Sequence, residues 1–446
     1  MTPPSHIGKG ARDVAARVLA RVTRDGAFAA AALDTEIQRA SLDPRDARLA
    51  TELTYGVLRT EGWLVETGEA LAAKGKLPDE PITRGHLLIG LYSLAFLDRL
   101  PPHAVVSEAV TGVRREVGEG PSKFANALLR SYARSLEASG SRPSLGEAAV
   151  RSVPAWLRGA LARSLGEDGA AAYLGAGPIP PPVALAVRDA KERDAWIERI
   201  TAAAPAGATV RAGTVSPHAI LLTGAGNPKK LPGYEQDWIV QEEGAQALAL
   251  ALDAIPGSYV LDACAGRGNK TWLLASLAGP QGRVVACDLH PAKLAKLTER
   301  IPNASVFAVD WTIGPGDVPE GADRVLVDAP CSGTGTLRRR PDILRRLREE
   351  DVTELAAQQI AIARGAASRA KAGARFVYAV CSVLEPECES VVSALCEASG
   401  SMALVPAPFE GEGVPEALRG RTAARLLPQE HATDGYFLAG FVVQPL

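Results

Sequence analysis

The sequence predicts a protein of three parts: an all-helical N-terminal domain, a small α/β middle subdomain and a C-terminal α/β domain built on a parallel sheet. Three observations support this fold class. The chain has 446 residues, which is more than one ordinary hydrophobic core accommodates. Apolar residues recur at helical spacing in residues 10–135, whereas short apolar runs alternate with helical stretches beyond residue 237. We place the domains at residues 1–140, 141–236 and 237–446.

The N-terminal domain is predicted to be helical throughout. Val14, Val18 and Val22 recur every four residues, and similar stripes of leucine follow further along the chain. The segment SKFANALLRSYARSLE begins at Ser122, a residue type that favours helix N-caps, so we predict that a helix starts there. Because strand-like alternation is absent from this region, no sheet is expected.

The middle subdomain is predicted from a change of pattern after residue 140. A helical segment, PAWLRGALARSL, leads into the loop GAGPIPPP. A strand-like VALAV, a helix-like KERDAWIERI and two further strand-like segments, ATVRA and HAILLTG, then follow in order. This order favours a small α/β subdomain.

The C-terminal domain contains apolar runs that are typical of strands buried on both faces of a parallel sheet. The runs are SYVLDAC, GRVVACDL, ASVFAVD, DRVLVDAP, ARFVYAVCS and YFLAGFVV. Each of the first five ends in polar or reactive residues, namely Asp262 and Cys264, Asp288, Asp310, Asp328 and Cys331, and Cys381. Functional groups gather at the carboxyl ends of strands in such sheets, so we expect these side chains to surround one site.

A glycine-rich turn, CAGRGNKT (residues 264–271), joins the first of these strands to a helix. A phosphate-binding P-loop is disfavoured because residue 269 is asparagine instead of the glycine that precedes Lys-Thr. A dinucleotide fingerprint is disfavoured because its third glycine would fall on Thr271. The remaining candidate is S-adenosylmethionine (SAM), whose amino-acid end fits a short glycine-rich turn at a helix N-terminus.

Two acids at successive strand ends agree with this cofactor. Asp288 ends the second strand, where a carboxylate can accept hydrogen bonds from both ribose hydroxyls, and Asp310 follows the third, where it can accept one from an adenine amino group. An ordinary α/β loop remains the alternative for the turn taken alone. The turn and the two acids together favour SAM.

Cys331 and Cys381 end two different strands, so they could meet over one pocket. Carbon 5 of cytosine is too weak a nucleophile to take a sulfonium methyl group unless a thiolate first adds at carbon 6. A group that protonates or hydrogen-bonds N3 stabilises the charge that develops, and Asp328 is placed to serve it. From the residues alone, either cysteine could be the nucleophile.

Two motifs carry a more specific resemblance. DAPCSGTGTLRRRPDI and YAVCSVLEPECE resemble the fourth and sixth motifs of the RNA 5-methylcytosine methyltransferases, and most of all the bacterial 16S ribosomal RNA cytosine methyltransferase B group. ARDVAARVLARV through KFANALLRSY resembles that group's NusB-like helical RNA-binding domain, and VQEEGAQALALAL and DGYFLAGFV resemble the entry and last strand of its Rossmann-like catalytic domain. The resemblance therefore covers nearly the whole chain.

The resemblance implies roles for individual residues. Cys381 would attack carbon 6, and Cys331 would assist product release, with Asp328 beside them. The implied cofactor-binding residues are Cys264, Ala265, Gly266, Arg267, Gly268, Asn269, Lys270, Asp288, Asp310 and Asp328. Three positions in the turn depart from the family's usual CAAPGGKT, since Gly266, Arg267 and Asn269 replace alanine, proline and glycine, and Val380 replaces the usual threonine before the nucleophile.

Composition sets further expectations. The six cysteines include no CxxC pair, so we expect neither a zinc site nor any other metal, and the N-terminal MTPPSHIGKGARD lacks an apolar signal segment. We expect a cytoplasmic monomer without a membrane partner. The net charge of −2 neither indicates nor excludes RNA binding, which depends on local patches.

The arginine-rich LRRRPDILRRLR, which follows Cys331, is predicted to contact RNA phosphates, although the acids after it also fit a solvated helix face. The sequence therefore predicts SAM-dependent methylation of cytosine carbon 5 in RNA, most of all 16S rRNA. The same chemistry on tRNA or another RNA, and an RNA-binding ribosome-assembly factor without turnover, are the alternatives.

Overall fold

A computed structural model describes residues 10–397 and 402–445. Residues 1–9, which hold most of the segment expected to lack a signal sequence, lie outside the described part. The chain divides into two compact units. The first contains residues 10–159, 170–180 and 337–347, and the second contains residues 160–169, 181–336 and most of the chain beyond 348. The domain boundaries at 140 and 236 remain predictions, because both units are discontinuous in sequence.

The first unit is helical, as predicted. Its helices, with the division passing through the last two, are α1 (Ala11–Asp25), α2 (Ala29–Ala40), α3 (Pro44–Leu71), α4 (Pro81–Phe96), α5 (Pro102–Glu116), α6 (Glu119–Ser139), α7 (Leu145–Ser152), α8 (Ala155–Leu165) and α9 (Glu167–Ala176). Val14, Val18 and Val22 all face its core, which confirms the predicted apolar stripe. The core is tight where α3 meets α4: a Cβ atom on Gly56 would lie 2.2 Å from the Tyr92 ring.

The predicted start of a helix at Ser122 is wrong. Helix α6 begins three residues earlier, at Glu119, and its N-cap is Gly118. Ser122 is buried inside the helix, and its hydroxyl donates a hydrogen bond to the Glu119 carbonyl at 2.8 Å. Pro121 lies in the first turn, where the missing N–H has no intrahelical partner to lose, so the helix tolerates it.

The second unit begins with a small antiparallel sheet, which confirms the predicted α/β subdomain. Its strands are β1 (Val183–Val187), β2 (Thr209–Ala212), β3 (Ala219–Thr223) and β4 (Trp238–Val240), in the order β2-β3-β1-β4, and α10 (Arg193–Ala203) packs beside them. β4 falls within the residues assigned from sequence to the C-terminal domain. Instead it pairs with β1, and Trp238 fills the core of the small sheet.

The second unit also contains an eight-stranded sheet. The strands are β5 (Tyr259–Asp262), β6 (Arg283–Asp288), β7 (Ala304–Ala308), β8 (Ala322–Asp328), β9 (Ala370–Val380), β10 (Met402–Pro406), β11 (Ala423–Leu426) and β12 (Tyr436–Pro445). β5 to β9 are parallel, as predicted. The last predicted run, β12, is instead antiparallel to β9, and β10 and β11 pair antiparallel with β12.

Helices cover both faces of this sheet and bury a core on each. The remaining helices are α11 (Glu243–Ala251), α12 (Asn269–Ala278), α13 (Pro291–Leu294), α14 (Leu297–Arg300), α15 (Ile343–Arg346, in the first unit), α16 (Glu349–Ala367), α17 (Glu389–Cys396) and α18 (Pro428–His431). β5 lies between β6 and β8, so the strand order reverses there. The crevice at such a reversal is the usual ligand site in α/β sheets.

No helix in residues 10–397 or 402–445 combines the length and apolarity that a bilayer span requires.

Candidate functional site

The glycine-rich turn after β5 forms one wall of a cavity of about 230 Å³ at the strand reversal. Gly266 and Gly268 have φ values of 58° and 79°, a left-handed conformation that side chains rarely adopt. Gly268 is the N-cap of α12, and a Cβ atom there would lie 2.8 Å from Leu297. Glycine is thus required at this position both for its backbone angles and for the close packing of α14.

The cavity brings together most of the predicted cofactor-binding residues. It is lined by Asp262, Cys264, Ala265, Gly266, Arg267, Asn269, Lys270 and Asp328. Asp288 accepts a hydrogen bond from the Gly266 N–H at 3.0 Å, which holds the turn against the end of β6. Asp310 does not line the cavity, and its Oδ1 accepts hydrogen bonds from the backbone and hydroxyl of Thr312 within its own turn.

Lys270 and Asp328 form an ion pair across the cavity. The exposed fractions of the two side chains are 17% and 23%, so water screens the pair only partly. Burial alone would lower the pKa of Lys270, but the charge and hydrogen bond of Asp328 outweigh it and raise that pKa above its ordinary value. The pair therefore fixes a positive and a negative charge beside the turn.

Asp262, which ends β5, is buried below this pair. Burial raises its pKa to about 6, while a 2.7 Å hydrogen bond from the Thr271 hydroxyl and the charge of Lys270 act in the opposite direction. Burial and the nearby carboxylates also raise the pKa of Cys264, the first residue of the turn, well above the ordinary thiol value. Both groups serve to pack and orient the turn, and neither is a candidate nucleophile.

Cys331 and Cys381 meet, as the sequence predicts. They follow the adjacent parallel strands β8 and β9, and their sulfur atoms lie 3.3 Å apart. The hydrogen bond with Cys381, burial and the Cys381 charge raise the pKa of Cys331 well above the ordinary thiol value. The raised pKa favours the protonated form of Cys331, whose S–H group can then serve as the donor between the two sulfurs.

The backbone around the two cysteines is held by Gly335. Its N–H donates to the Cys381 carbonyl at 2.9 Å, and its own carbonyl accepts from the Gly435 N–H at 2.7 Å. A Cβ atom on Gly335 would lie 1.9 Å from the Gly435 oxygen, so only glycine allows this approach. The loop after β8, the end of β9 and the start of β12 are thereby joined.

Sequence reasoning missed a buried hydrogen-bonded cluster behind the cysteines. It consists of Ser332, Gln359, Tyr378, Ser382 and Glu387. Glu387 lies in the quoted motif YAVCSVLEPECE, but a glutamate in a polar segment reads as exposed. The one sequence feature that could have indicated this cluster is that Ser332 and Ser382 each directly follow a cysteine.

The arginines of LRRRPDILRRLR take part in contacts within the first unit. Arg345 pairs with Glu61, and Arg346 pairs with Asp342 at 2.8 Å and lies over the Phe28 ring. Packing thus engages part of the surface predicted to contact RNA phosphates, and that contact remains a prediction.

A buried cluster in the first unit has metal-ligand residue types. Asp13, His86 and Glu116 place ligand atoms within 4.8 Å of one another. However, Arg115 pairs with Asp13, and Arg17 pairs with Glu116. Arg17 also pairs with Glu36 at 3.0 Å, so guanidinium groups already engage both carboxylates of the cluster.

Comparisons with known proteins match an N-terminal and a C-terminal region of the chain to two different families. The family model described as 16S rRNA methyltransferase RsmB/F matches residues 249–442, and the NusB family model matches residues 9–134. A probable ribosomal RNA small subunit methyltransferase B from Synechocystis sp. is 31% identical over 96% of this chain and 98% of its own length. A ribosomal RNA small subunit methyltransferase B from Pseudomonas syringae pv. tomato is 31% identical over 97% of this chain and 96% of its own.

Solved structures share the fold. The crystal structure described as PH0851 has a TM-score of 0.79 at 22% identity and covers 99% of both chains. The structure of NSun6 from Pyrococcus horikoshii with SFG has a TM-score of 0.54 at 17% identity, over 65% of this chain and 98% of that one.

Proposed function

Because this chain belongs to the family of 16S rRNA methyltransferases RsmB/F, we propose that it methylates carbon 5 of a cytosine in 16S rRNA through a covalent adduct with Cys381. Membership of the family makes the chain a SAM-dependent RNA methyltransferase. The chemistry at carbon 5 rests on one observation, the approach of two cysteine sulfurs to 3.3 Å beside the Lys270–Asp328 pair. An N- or O-methyltransferase has no need of a thiol nucleophile.

The cavity fits the amino-acid end of SAM. The residues from Cys264 to Lys270 would hold it, with Gly268 capping α12 so that backbone N–H groups face a carboxylate. A Cβ atom on Gly266 would meet nothing within 4 Å, so the turn presents an open ledge. When bound there, SAM supplies an electrophilic methyl group.

The departures from the family's turn are accommodated. Arg267 is exposed at the cavity wall, and Asn269 accepts a hydrogen bond from Arg300 at 3.1 Å. The assignment of Asp288 to the ribose rests on the resemblance: its Oδ2 accepts from the Gly266 N–H, and its Oδ1 accepts from the His290 N–H and the Lys293 ammonium group. The assignment of Asp310 to the adenine rests on the resemblance, because its carboxylate is engaged by Thr312.

The electrostatics favour Cys381 as the nucleophile. A raised pKa keeps the proton on Cys331, and the Cys331 S–H group then stabilises a thiolate on Cys381. The charge of Cys381 in turn contributes to the raised pKa of Lys270. A thiolate adds to carbon 6 more readily than a thiol does.

The residues then act in a fixed order. The Cys381 thiolate forms a bond to carbon 6, the ring takes up a proton from water at N3, and the Asp328 carboxylate accepts a hydrogen bond from the resulting N3–H group. After carbon 5 has gained a methyl group, a base removes the carbon 5 proton. The electron pair released by that proton re-forms the 5,6 double bond and expels Cys381 as a thiolate. Cys331, at 3.3 Å, is placed to assist this last step.

The test uses small-subunit rRNA, SAM and three cysteine variants. Wild-type protein should produce 5-methylcytosine in 16S rRNA, detected by bisulfite sequencing. Cys331→Ala should accumulate a covalent protein–RNA adduct that survives denaturing electrophoresis, and Cys381→Ala should form none. Cys396→Ala changes an exposed cysteine on α17 and is the matched control, which should behave as wild type.

Two results would contradict the proposal. An adduct that appears only in the Cys381 variant reverses the roles of the two cysteines. Methylation of rRNA at a base nitrogen or a ribose oxygen, with no adduct in any variant, removes the carbon 5 chemistry altogether.

A further inference from the structure

Glu387 is a buried carboxylate between the two loops that carry the cysteines. It lies six residues after Cys381 in a short 3-10 turn and is fully buried. Its Oε1 accepts hydrogen bonds from the Ser332 N–H at 2.8 Å and the Gln359 amide at 3.0 Å. Its Oε2 accepts from the hydroxyls of Ser332 at 2.5 Å and Ser382 at 2.6 Å. The carboxylate therefore has four donors.

The donors connect the two cysteine loops. Ser332 directly follows Cys331, and Ser382 directly follows Cys381. Both hydroxyls donate to the same oxygen of Glu387, and they lie 3.2 Å from each other. Displacement of either loop by an ångström would break its bond to the shared carboxylate.

The cluster is also anchored to the core. The Gln359 amide on α16 donates to the Pro330 carbonyl at 2.9 Å, just before Cys331. The Tyr378 hydroxyl on β9 donates to the Gln359 Oε1 at 2.8 Å and contacts the Glu387 carbonyl at 2.7 Å. All of these side chains are buried, so a rigid frame fixes the carboxylate.

A buried carboxylate costs more free energy at a core position than an apolar side chain does. Burying an ionised carboxyl group is strongly unfavourable unless its lone pairs are satisfied, and four donors satisfy them here. A hydrophobic side chain of similar size would fill the space without this demand, but it could not hold two separate loops by directional bonds. The buried hydrogen bonds of Glu387 thus fix the positions of the two loops that carry the sulfurs.

We propose that Glu387 is a positioning residue that sets the separation of the Cys331 and Cys381 sulfurs. The reason for holding the sulfurs close rests on the proposed function, because Cys331 must be within reach to assist the expulsion of Cys381. The geometry itself does not depend on that function. Displacements of about 1 Å in a reacting pair can reduce rates by about 100-fold. On this assignment Glu387 acts through Ser332 and Ser382, the residues that directly follow the two cysteines.

The test measures the thiol pair directly, without RNA. Phenylarsine oxide binds two adjacent thiols by forming two As–S bonds and releasing its oxygen as water. The wild-type protein should bind it tightly, and Cys331→Ala and Cys381→Ala should each lose this binding, which assigns it to the pair. Glu387→Ala should bind at least tenfold more weakly, because both loops lose their common acceptor.

Glu387→Gln separates geometry from charge. Its amide oxygen can accept from Ser332 and Gln359, and the two serine hydroxyls can rotate to accept from its amide nitrogen. We therefore expect arsenical binding within threefold of wild type. Glu389→Gln is the matched control: the Glu389 carboxylate pairs with Arg425 at 2.6 Å at the protein surface, and its variant should bind as wild type.

The outcomes are decisive in both directions. Binding by Glu387→Ala within threefold of wild type overturns the inference. If thermal denaturation shows that Glu387→Ala does not fold, Ser382→Ala is used instead, because it removes only one of the hydrogen bonds to Glu387. Unchanged arsenical binding in Ser382→Ala would also overturn the inference. Failure of Cys331→Ala to accumulate an RNA adduct would contradict the proposed function while leaving the arsenical comparison valid.

A kinetic readout distinguishes positioning from general stability. In single turnovers with RNA, Glu387→Ala should slow release of the adduct more than its formation, so that adduct accumulates as in Cys331→Ala. Equal slowing of both steps with unchanged arsenical binding would assign Glu387 a structural role only.

Discussion

Replacement of Gly335 by alanine tests how closely the backbone is packed around the cysteines. The added Cβ atom would lie 1.9 Å from the Gly435 oxygen, whereas Cβ atoms essentially never approach other heavy atoms within 3.0 Å. One of the two backbone segments must therefore move by more than an ångström. That movement breaks the 2.7 Å bond from the Gly435 N–H and strains the 2.9 Å bond to the Cys381 carbonyl.

The expected loss of stability follows from these contacts. Two backbone hydrogen bonds contribute about 1 kcal/mol each. Overpacking of a site that cannot relax adds about 1 to 3 kcal/mol. The total of roughly 3 to 5 kcal/mol corresponds to a fall of about 6 to 20 °C in the melting temperature of a domain of this size.

Differential scanning calorimetry of the full chain measures this change, and single-turnover methylation measures its effect on Cys381. Gly413→Ala is the control in the same unit, because a Cβ atom there meets nothing within 4 Å and the residue has no left-handed backbone. A Gly335→Ala protein that melts within 2 °C of wild type would refute the argument from close packing.

Two further predictions concern other buried sites. Gly112→Ala would place a Cβ atom 2.4 Å from the Cε1 atom of the buried His86, and should destabilise the helical unit by about 1 to 3 kcal/mol in urea unfolding. Asp262 has a pKa of about 6 in the folded chain against an ordinary value of 3.8, so the folded state holds more protons between these values. Stability should consequently fall as the pH rises from about 4 to about 6, by up to about 3 kcal/mol at 1.36 kcal/mol per pKa unit, and Asp262→Asn should abolish this fall.

Each of these has its own control. Gly175→Ala adds the same methyl group in α9, where nothing lies within 4 Å, and should be neutral or stabilising by up to about 1 kcal/mol. Equal effects of the two glycine variants would contradict the steric argument. For Asp262, an Asn variant with the same pH dependence as wild type between pH 4 and 6 would show that another group is responsible.

The positions of the strand-end residues could be predicted because parallel topology is simple. Parallel strands present their carboxyl ends at one edge, so Asp262, Asp288, Asp328 and the two cysteines had to gather there. The meeting of Cys331 and Cys381 is a consequence of β8 and β9 being neighbours, which chain order made probable and the structure confirms.

Asp310 shows the limit of this reasoning. Its position after a strand predicts a place at the same edge, but its carboxylate is turned to Thr312 two residues later. Local side-chain-to-backbone bonds of aspartate compete with a role in a site, and sequence spacing does not reveal which prevails.

Glu387 could not be predicted for a different reason. Its burial depends on donors from two distant segments, Ser332 and Gln359, and on Ser382, a serine of its own loop whose type gives no signal. The antiparallel direction of β12 is equally non-local, because it follows from how the chain returns through β10 and β11. The predicted start of α6 was wrong for a local reason. Gly118 serves as the N-cap and Pro121 is tolerated in the first turn, so the helix begins before Ser122.

The segment of residues 337–347 has a consequence for how the chain matures. It belongs to the helical unit, where the Arg345–Glu61 pair and the bond from Arg59 to the Arg338 carbonyl secure it. A ribosome synthesises α1 to α7 of that unit long before this segment, so the unit must wait for more than a hundred further residues before its last piece arrives. Domains usually fold in order as they emerge. Here the earliest part of the protein is completed only after β5 to β8, four of the eight strands of the large sheet, have been synthesised.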